Sequence, residues 1–395
     1  MLVSSLSERV RLLGPSQTLA ITARAKKLKA EGKDIVSFGA GEPDFNTPDP
    51  VCQAAIEAIK QGFTKYVPTS GVPELKAAVC EKLKRDNGVR VSPEQVIISC
   101  GAKHSIYNSL QALVDPGDEV IVIAPYWMTY AEQIRLAGGT PVVVRTTQET
   151  GFVPACESIR DAITSRTKAI MLNSPCNPTG AVIPRGVLKG IAALAIRHGF
   201  WVIADEIYEK LIYGEEHCSI ASLGSDIAEQ TITIGGCSKS YAMTGWRVGF
   251  AAAPKEVVQA MSNIQDQVTS NATSFVQIGA VSAYNLPDDD IEAMRCEFHA
   301  RRDLAVGLLN QIPRLNTHFP KGAFYAFVNV EPYLGGQIQT DVEMAERLLD
   351  EALVATVPGT YFDGPGHLRL SYACSRSDIE RGIGRISKFL TSLNA

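Results

Sequence analysis

The chain has 395 residues, 45% hydrophobic and 20% charged, a balance that fits an ordinary soluble protein and excludes the compositions that stay disordered. Its formal net charge is −4, with no long run of Lys or Arg, so neither a nucleic-acid surface nor an anionic-membrane anchor is expected. The length predicts two domains or three, at roughly 100–200 residues each, with a small molecule as the default partner.

The opening MLVSSLSERVRLLG has no continuous apolar core before a small-residue cleavage site, and no later run reaches the roughly 20 apolar residues of a membrane span. A cytoplasmic location is the expectation. A helix is predicted over about 15–31, followed by DIVSF at 34–38. Between 95 and about 253 come the short apolar runs QVIIS, EVIVIA, PVVVR, AIMLN, FWVIAD, TITIG and VGFAAA, separated by amphipathic stretches. This alternation predicts an α/β fold with a mainly parallel sheet of seven strands and helices on both faces. Ligands then bind at the carboxyl ends of the strands, which points to Gly101, the loop from Asn173 to Gly180, Asp205 and the segment from Cys237 to Lys239.

After residue 254 come helical patterns, one of them charged and near 288–312, then AFYAFVNV at 323–330, a helix near 340–351, short strands near 353–357 and 367–373, and a final helix. That texture predicts a second, smaller α+β domain. The expected division is an N-terminal segment, 1–47, packing with the small domain, a large domain over 48–290 and the small domain over 291–395. Nine Cys are scattered without a CxxC pair or metal-ligand spacing to His, so reduced thiols and no metal site are expected.

Lys239 follows an apolar strand in CSKSYAMTGWR. Alone it would be an ordinary surface lysine, but in a pocket beside a second cation such as Arg247 its amine loses a proton and can attack a carbonyl. Asp205 ends FWVIAD, where a buried carboxylate needs a cationic partner or strong hydrogen bonds; a helix cap before EIYEKL would explain it too. Gly101 lies between a strand and a helical pattern, where free N–H groups and the helix dipole suit a phosphate, although a plain turn serves equally. NSPCNPTG at 173–180 aims Asn177 over the strand edges and permits a cis bond at Pro178. Trp127 offers a flat face to an aromatic ligand, or fills the core. Arg369, on a predicted strand in HLRLSYA, must pair inward, with a ligand carboxylate or with an internal Asp or Glu.

Taken in order, AGEPDF (40–45), KYVPTSG (65–71), GAKH (101–104), PYW (125–127), NPTG (177–180), DEIY (205–208), SKSYAMTGWR (238–247) and RLSY (369–372) resemble the class I aminotransferases among the fold-type I pyridoxal phosphate enzymes. Within them the chain is most similar to the Iβ group of aspartate aminotransferases, from about residue 14 to the C-terminus. The resemblance implies pyridoxal 5'-phosphate carried on Lys239 as a Schiff base, with Asp205 on the pyridine nitrogen, Tyr208 and Asn177 on the phenolic oxygen and Trp127 stacked on the ring. Its phosphate would meet the backbone of Ala102 and Lys103, Ser238 and Arg247, and Tyr66 from a second subunit, which implies a homodimer.

The same resemblance puts the substrate α-carboxylate on Arg369, Asn177, Trp127 and the backbone of Gly41. It puts a distal carboxylate on Ser16, Thr18 and Lys103, which implies a dicarboxylic amino acid, with ping-pong transfer from aspartate to 2-oxoglutarate. Group members that also accept prephenate usually carry a basic residue before the Pro-Ser pair, where Gly14 stands here. The competing readings are a bifunctional aspartate/prephenate aminotransferase, a β-lyase or decarboxylase of the same fold, and a non-catalytic regulator built on it.

Overall fold

A computed structural model describes residues 6–11, 13–14 and 17–393. Among these residues twelve strands occur in chain order: β1 (Val36–Ser37), β2 (Val96–Ser99), β3 (Glu119–Ala124), β4 (Thr140–Arg145), β5 (Thr167–Asn173), β6 (Trp201–Asp205), β7 (Thr231–Gly236), β8 (Gly249–Ala252), β9 (Tyr325–Asn329), β10 (Val354–Ala355), β11 (Val357–Pro358) and β12 (His367–Ser371). Each of the seven apolar runs between 95 and 253 forms a strand of one sheet, ordered β2-β8-β7-β6-β5-β3-β4. Only β8 runs against the others, pairing antiparallel with β2 and β7.

The central strands are continuous apolar runs because helices cover both faces and leave no solvent side for polar residues. β7 is buried at every position, whereas β4, at one edge, exposes both of its ends. At the other edge, the Ile98 N–H bonds the Ser70 carbonyl at 2.9 Å, so the segment before Gly71 covers the rim that an open strand would leave unpaired.

The C-terminal part holds the antiparallel sheet β11-β12-β9 and the parallel pair β1-β10. The N-terminal segment joins it there: Val36 is in register with Val354, and on the preceding helix, Gln17–Ala30, Arg24 bonds Asp350 at 2.7 Å. The boundary expected at 290 falls in the first turn of the 22-residue helix Asp288–Leu309. Among the described residues no helix is long and apolar enough to cross a membrane.

Candidate active site

Because β2, β5, β6 and β7 run the same way, their carboxyl ends share one edge of the sheet, and the antiparallel β8 begins at that edge. Ser99 and Gly236, near the ends of β2 and β7, both stand opposite Gly249. A cavity of about 760 Å³ opens there, and its lining includes Lys239, Asp205, Tyr208, Asn177, Arg247 and Arg369. Gly41, Ala102, Lys103, Trp127 and Ser238 line it as well. Thus eleven of the fourteen residues singled out in the sequence meet in one cavity, from segments up to 328 positions apart.

Three do not. Tyr66 is 89% exposed and does not line the cavity of its own chain. Ser16 lies outside the described residues, and Thr18 is described only as backbone of its helix.

At one end of the cavity Gly101 precedes the helix Ala102–Leu113 with φ of 89°, a conformation that disfavours any side chain. A Cβ at Gly101 would come 2.6 Å from Arg247 Nη2, and one at Gly249 would come 2.4 Å from the Ala102 nitrogen. The missing side chains therefore let a guanidinium and a helix N-terminus converge. The first N–H groups of that helix have no acceptor within it, so the corner is built for an anion. Arg247 is itself anchored by Nη1 donating to the Thr244 carbonyl at 2.8 Å.

Deeper in, Asp205 is 2% exposed. Its Oδ2 accepts from the Tyr130 hydroxyl at 2.7 Å and its Oδ1 from the Ile207 N–H at 3.2 Å. Burial drives the carboxyl up to about 6, while those two donors and the charge of Lys239 hold it from going further. No side-chain cation pairs with it among the described residues, which leaves a buried anion open to a cationic ligand.

Lys239 Nζ donates to the Gly41 carbonyl. Burial lowers its ammonium to about 8; Glu42 opposes that shift, and Arg369 and Arg247 add to it. A usable fraction of the amine is therefore neutral near physiological pH, as a nucleophile or proton carrier requires.

Arg369, on β12, is 3% exposed. Its Nη1 donates to Asn177 Oδ1 at 3.1 Å and its Nη2 to the Gly39 carbonyl at 3.0 Å. The group lies over the rings of Tyr325 and Phe362, with centroids at 4.5 and 5.0 Å. Among the described residues no carboxylate pairs with it, and its Nε is buried without a partner, so the internal Asp or Glu that the sequence left open is not there. Lys103 Nζ stands 4.7 Å from the Trp127 ring centroid, and burial together with the Arg247 charge lowers its ammonium. The Asn177–Pro178 bond is cis, as are the bonds before Pro125 and Pro175.

Sequence reasoning missed two residues. Tyr130, 2% exposed, supplies the side-chain donor to Asp205, and its position three residues past Trp127 in PYWMTY was the available signal. Tyr325 bonds the Tyr208 hydroxyl at 2.9 Å; in AFYAFVNV it is indistinguishable from a core aromatic until β9 is placed beside the cavity.

The family model described as "Aminotransferase class I and II" matches residues 33–386. The chain is 46% identical to the aspartate aminotransferase of Bacillus sp. strain YM-2, over 98% of this chain and 99% of that one. It is 45% identical to the aspartate/prephenate aminotransferase of Thermus thermophilus, over 98% of both. The solved structure of a Thermus thermophilus aspartate aminotransferase with maleate superposes with a TM-score of 0.93 at 44% identity, over 97% of this chain and 99% of that one.

Proposed function

We propose that this chain, which belongs to the class I and II aminotransferases, transfers the amino group of L-aspartate to 2-oxoglutarate with pyridoxal 5'-phosphate as cofactor. The observation that carries the reading is the buried Arg369, which has no carboxylate partner among the described residues and shares a cavity with a lysine of lowered pKa and an aspartate without a side-chain cation. The residues fit the cofactor. The Gly101 corner suits its phosphate, the Asp205 carboxylate suits a protonated pyridine nitrogen, and Lys239 suits its aldehyde. Bound there, pyridoxal phosphate would supply a carbonyl for the substrate amine and a ring that withdraws electrons from the substrate Cα.

The chain's own groups then divide the work. The Arg369 fork, flanked by Asn177, holds the α-carboxylate by two parallel hydrogen bonds and fixes which Cα bond faces Lys239. The Lys239 amine, its pKa lowered to about 8 by burial, would take the proton from the substrate Cα and deliver it to the cofactor's C4' carbon. Asp205, kept in place by Tyr130, would hold negative charge against the ring nitrogen, and the Tyr208–Tyr325 pair would present a hydroxyl to the ring oxygen. Lys103 at the cavity lip, with Ser16 and Thr18, receives the distal carboxylate. That the Thermus thermophilus relative was solved with maleate, a dicarboxylic acid, supports this assignment.

The proposal includes a cytoplasmic homodimer in which Tyr66, exposed on its own chain, enters the neighbouring site. It takes 48–290 as the cofactor-binding unit and 1–47 with 291–395 as the smaller one, which the β1–β10 pairing supports. The test is a half-reaction panel with aspartate, glutamate, alanine, tyrosine and arogenate, read from the cofactor absorbance. Aspartate and glutamate should respond fastest. A faster response to alanine or tyrosine refutes the dicarboxylate assignment, and no response to any of them refutes amino transfer.

A second reading, dual use of aspartate and prephenate, is favoured by the name of the Thermus thermophilus relative and opposed by Gly14. Turnover of prephenate against oxaloacetate separates the two.

A further inference from the structure

The turn that follows β6 has two faces. Asp205 and Tyr208 look into the cavity, whereas Glu206 and Glu209 do not line it and enter a separate buried cluster. Within that cluster, Asn87 Nδ2 donates to Glu206 Oε2 at 2.9 Å and to Glu209 Oε2 at 2.6 Å. Asn87 Oδ1 accepts from Lys82 Nζ at 2.7 Å, and Lys82 also pairs with Glu209 Oε1. His217 Nε2 meets Glu206 Oε2 at 2.9 Å. Lys82 is 1% exposed, Glu206 4% and Asn87 7%.

Lys82 and Asn87 come from a different part of the chain, the helix Pro73–Lys82 and the π turn Leu83–Asn87 that continues it. The i→i+5 hydrogen bonding of a π turn widens the helix and brings residues five apart toward one side. One asparagine thereby bridges two glutamates three residues apart. Lys82 already supplies the cation between Asn87 and Glu209, which argues against a metal ion there.

We infer that the buried cluster of Lys82, Asn87 and His217 is a positioning device for the cofactor site, clamping Glu206 and Glu209 so that Asp205 and Tyr208, on the other face of the same turn, are held in place. This rests on the reading that Asp205 and Tyr208 hold pyridoxal phosphate. A four-residue turn has few contacts of its own to fix two side chains against a ligand. The cluster provides four polar contacts to the turn from the rear, in a low-dielectric setting where such networks are stiff. Backbone bonds reinforce it: the Glu206 N–H donates to the Ile234 carbonyl and the Glu209 N–H to the Glu206 carbonyl, both at 2.9 Å.

The test compares apoprotein carrying Asn87→Leu or Glu206→Gln with unmutated apoprotein. Three quantities are read: the Kd for pyridoxal phosphate, the melting temperature before cofactor is added, and the visible circular dichroism of the bound cofactor. Asn87→Leu removes the bridge. Glu206→Gln keeps the shape but removes the negative charge from the oxygen that meets both Asn87 and His217, and it serves if the first variant fails to fold. A partner that orients a ligand-holding group is worth about tenfold or more in affinity, so each folded variant should bind at least about tenfold more weakly, with altered dichroism. A lowered melting temperature with Kd and dichroism unchanged would show that the cluster only stabilises the fold, and would overturn the inference. Unmutated apoprotein that binds no pyridoxal phosphate overturns the functional reading, and the inference with it.

Discussion

Replacing Asp205 with Asn should make the cofactor-free protein more stable, because the site holds a carboxylate that the fold by itself disfavours. Burial raises this group from an ordinary 3.8 to about 6. At about 1.4 kcal/mol per pKa unit, that rise corresponds to about 3 kcal/mol of native-state destabilisation at pH values above 6. The folded pKa lies above the unfolded one, so between about pH 4 and 6 the folded protein binds more protons, and stability falls as pH rises through that window. The penalty is complete above it and absent below. Asn keeps an acceptor for the Tyr130 hydroxyl, at 2.7 Å from Asp205, but the bond becomes neutral and returns about 1 kcal/mol of the gain. Urea unfolding of both apoproteins should therefore show Asp205→Asn ahead by about 2 kcal/mol at pH 7.5, with the advantage shrinking toward pH 4. The same variant should bind pyridoxal phosphate more weakly, since the ring nitrogen loses its anion. Equal or lower stability at pH 7.5 would refute the claim that Asp205 is a buried charge kept for a cationic ligand.

Arg369→Lys replaces a two-pronged donor with a single ammonium. Losing one charge-assisted bond, about 1.5–3 kcal/mol, should cut kcat/KM for aspartate by roughly 10–150-fold and leave the cofactor spectrum unaltered; a change under threefold would remove Arg369 from substrate binding. Lys239→Ala should still take up pyridoxal phosphate through the remaining contacts while losing steady-state amino transfer, and retained turnover would exclude the lysine as proton carrier. Gly101→Ala places a methyl 2.6 Å from Arg247 at a φ of 89°. Apoprotein carrying it should bind inorganic phosphate and pyridoxal phosphate at least tenfold more weakly, an estimate from about 1.4 kcal/mol per decade, as measured by calorimetry.

The strands were legible because burial on both faces writes itself as uninterrupted β-branched runs, and the ligand-bearing residues stood at the ends of those runs. Asp205 closes β6, and Gly101 and Lys239 come two and three residues after β2 and β7 stop. Tyr130 and Tyr325 were not legible in the same way. Their hydroxyls act through contacts 75 and 117 positions away in sequence, and an aromatic flanked by apolar neighbours carries no mark of what its oxygen will meet. Arg369 was intermediate: the sequence required a partner for it, and the packing of β12 against β9 and β11 decided that no internal carboxylate would be that partner.

Local sequence alone determined the alternation of strand and helix, the glycine at the anion corner and the lysine after β7, since each depends on neighbours within a few residues. It also carried the resemblance that named a cofactor. Tertiary structure alone decided the electrostatics. Whether Lys239 is a solvated cation or an amine with a pKa of about 8, and whether Asp205 is a cap or a buried carboxylate with a pKa of about 6, depends on desolvation and on charges brought from Arg247, from Arg369 on β12 and from Glu42. Those distances exist only once the chain has closed on itself.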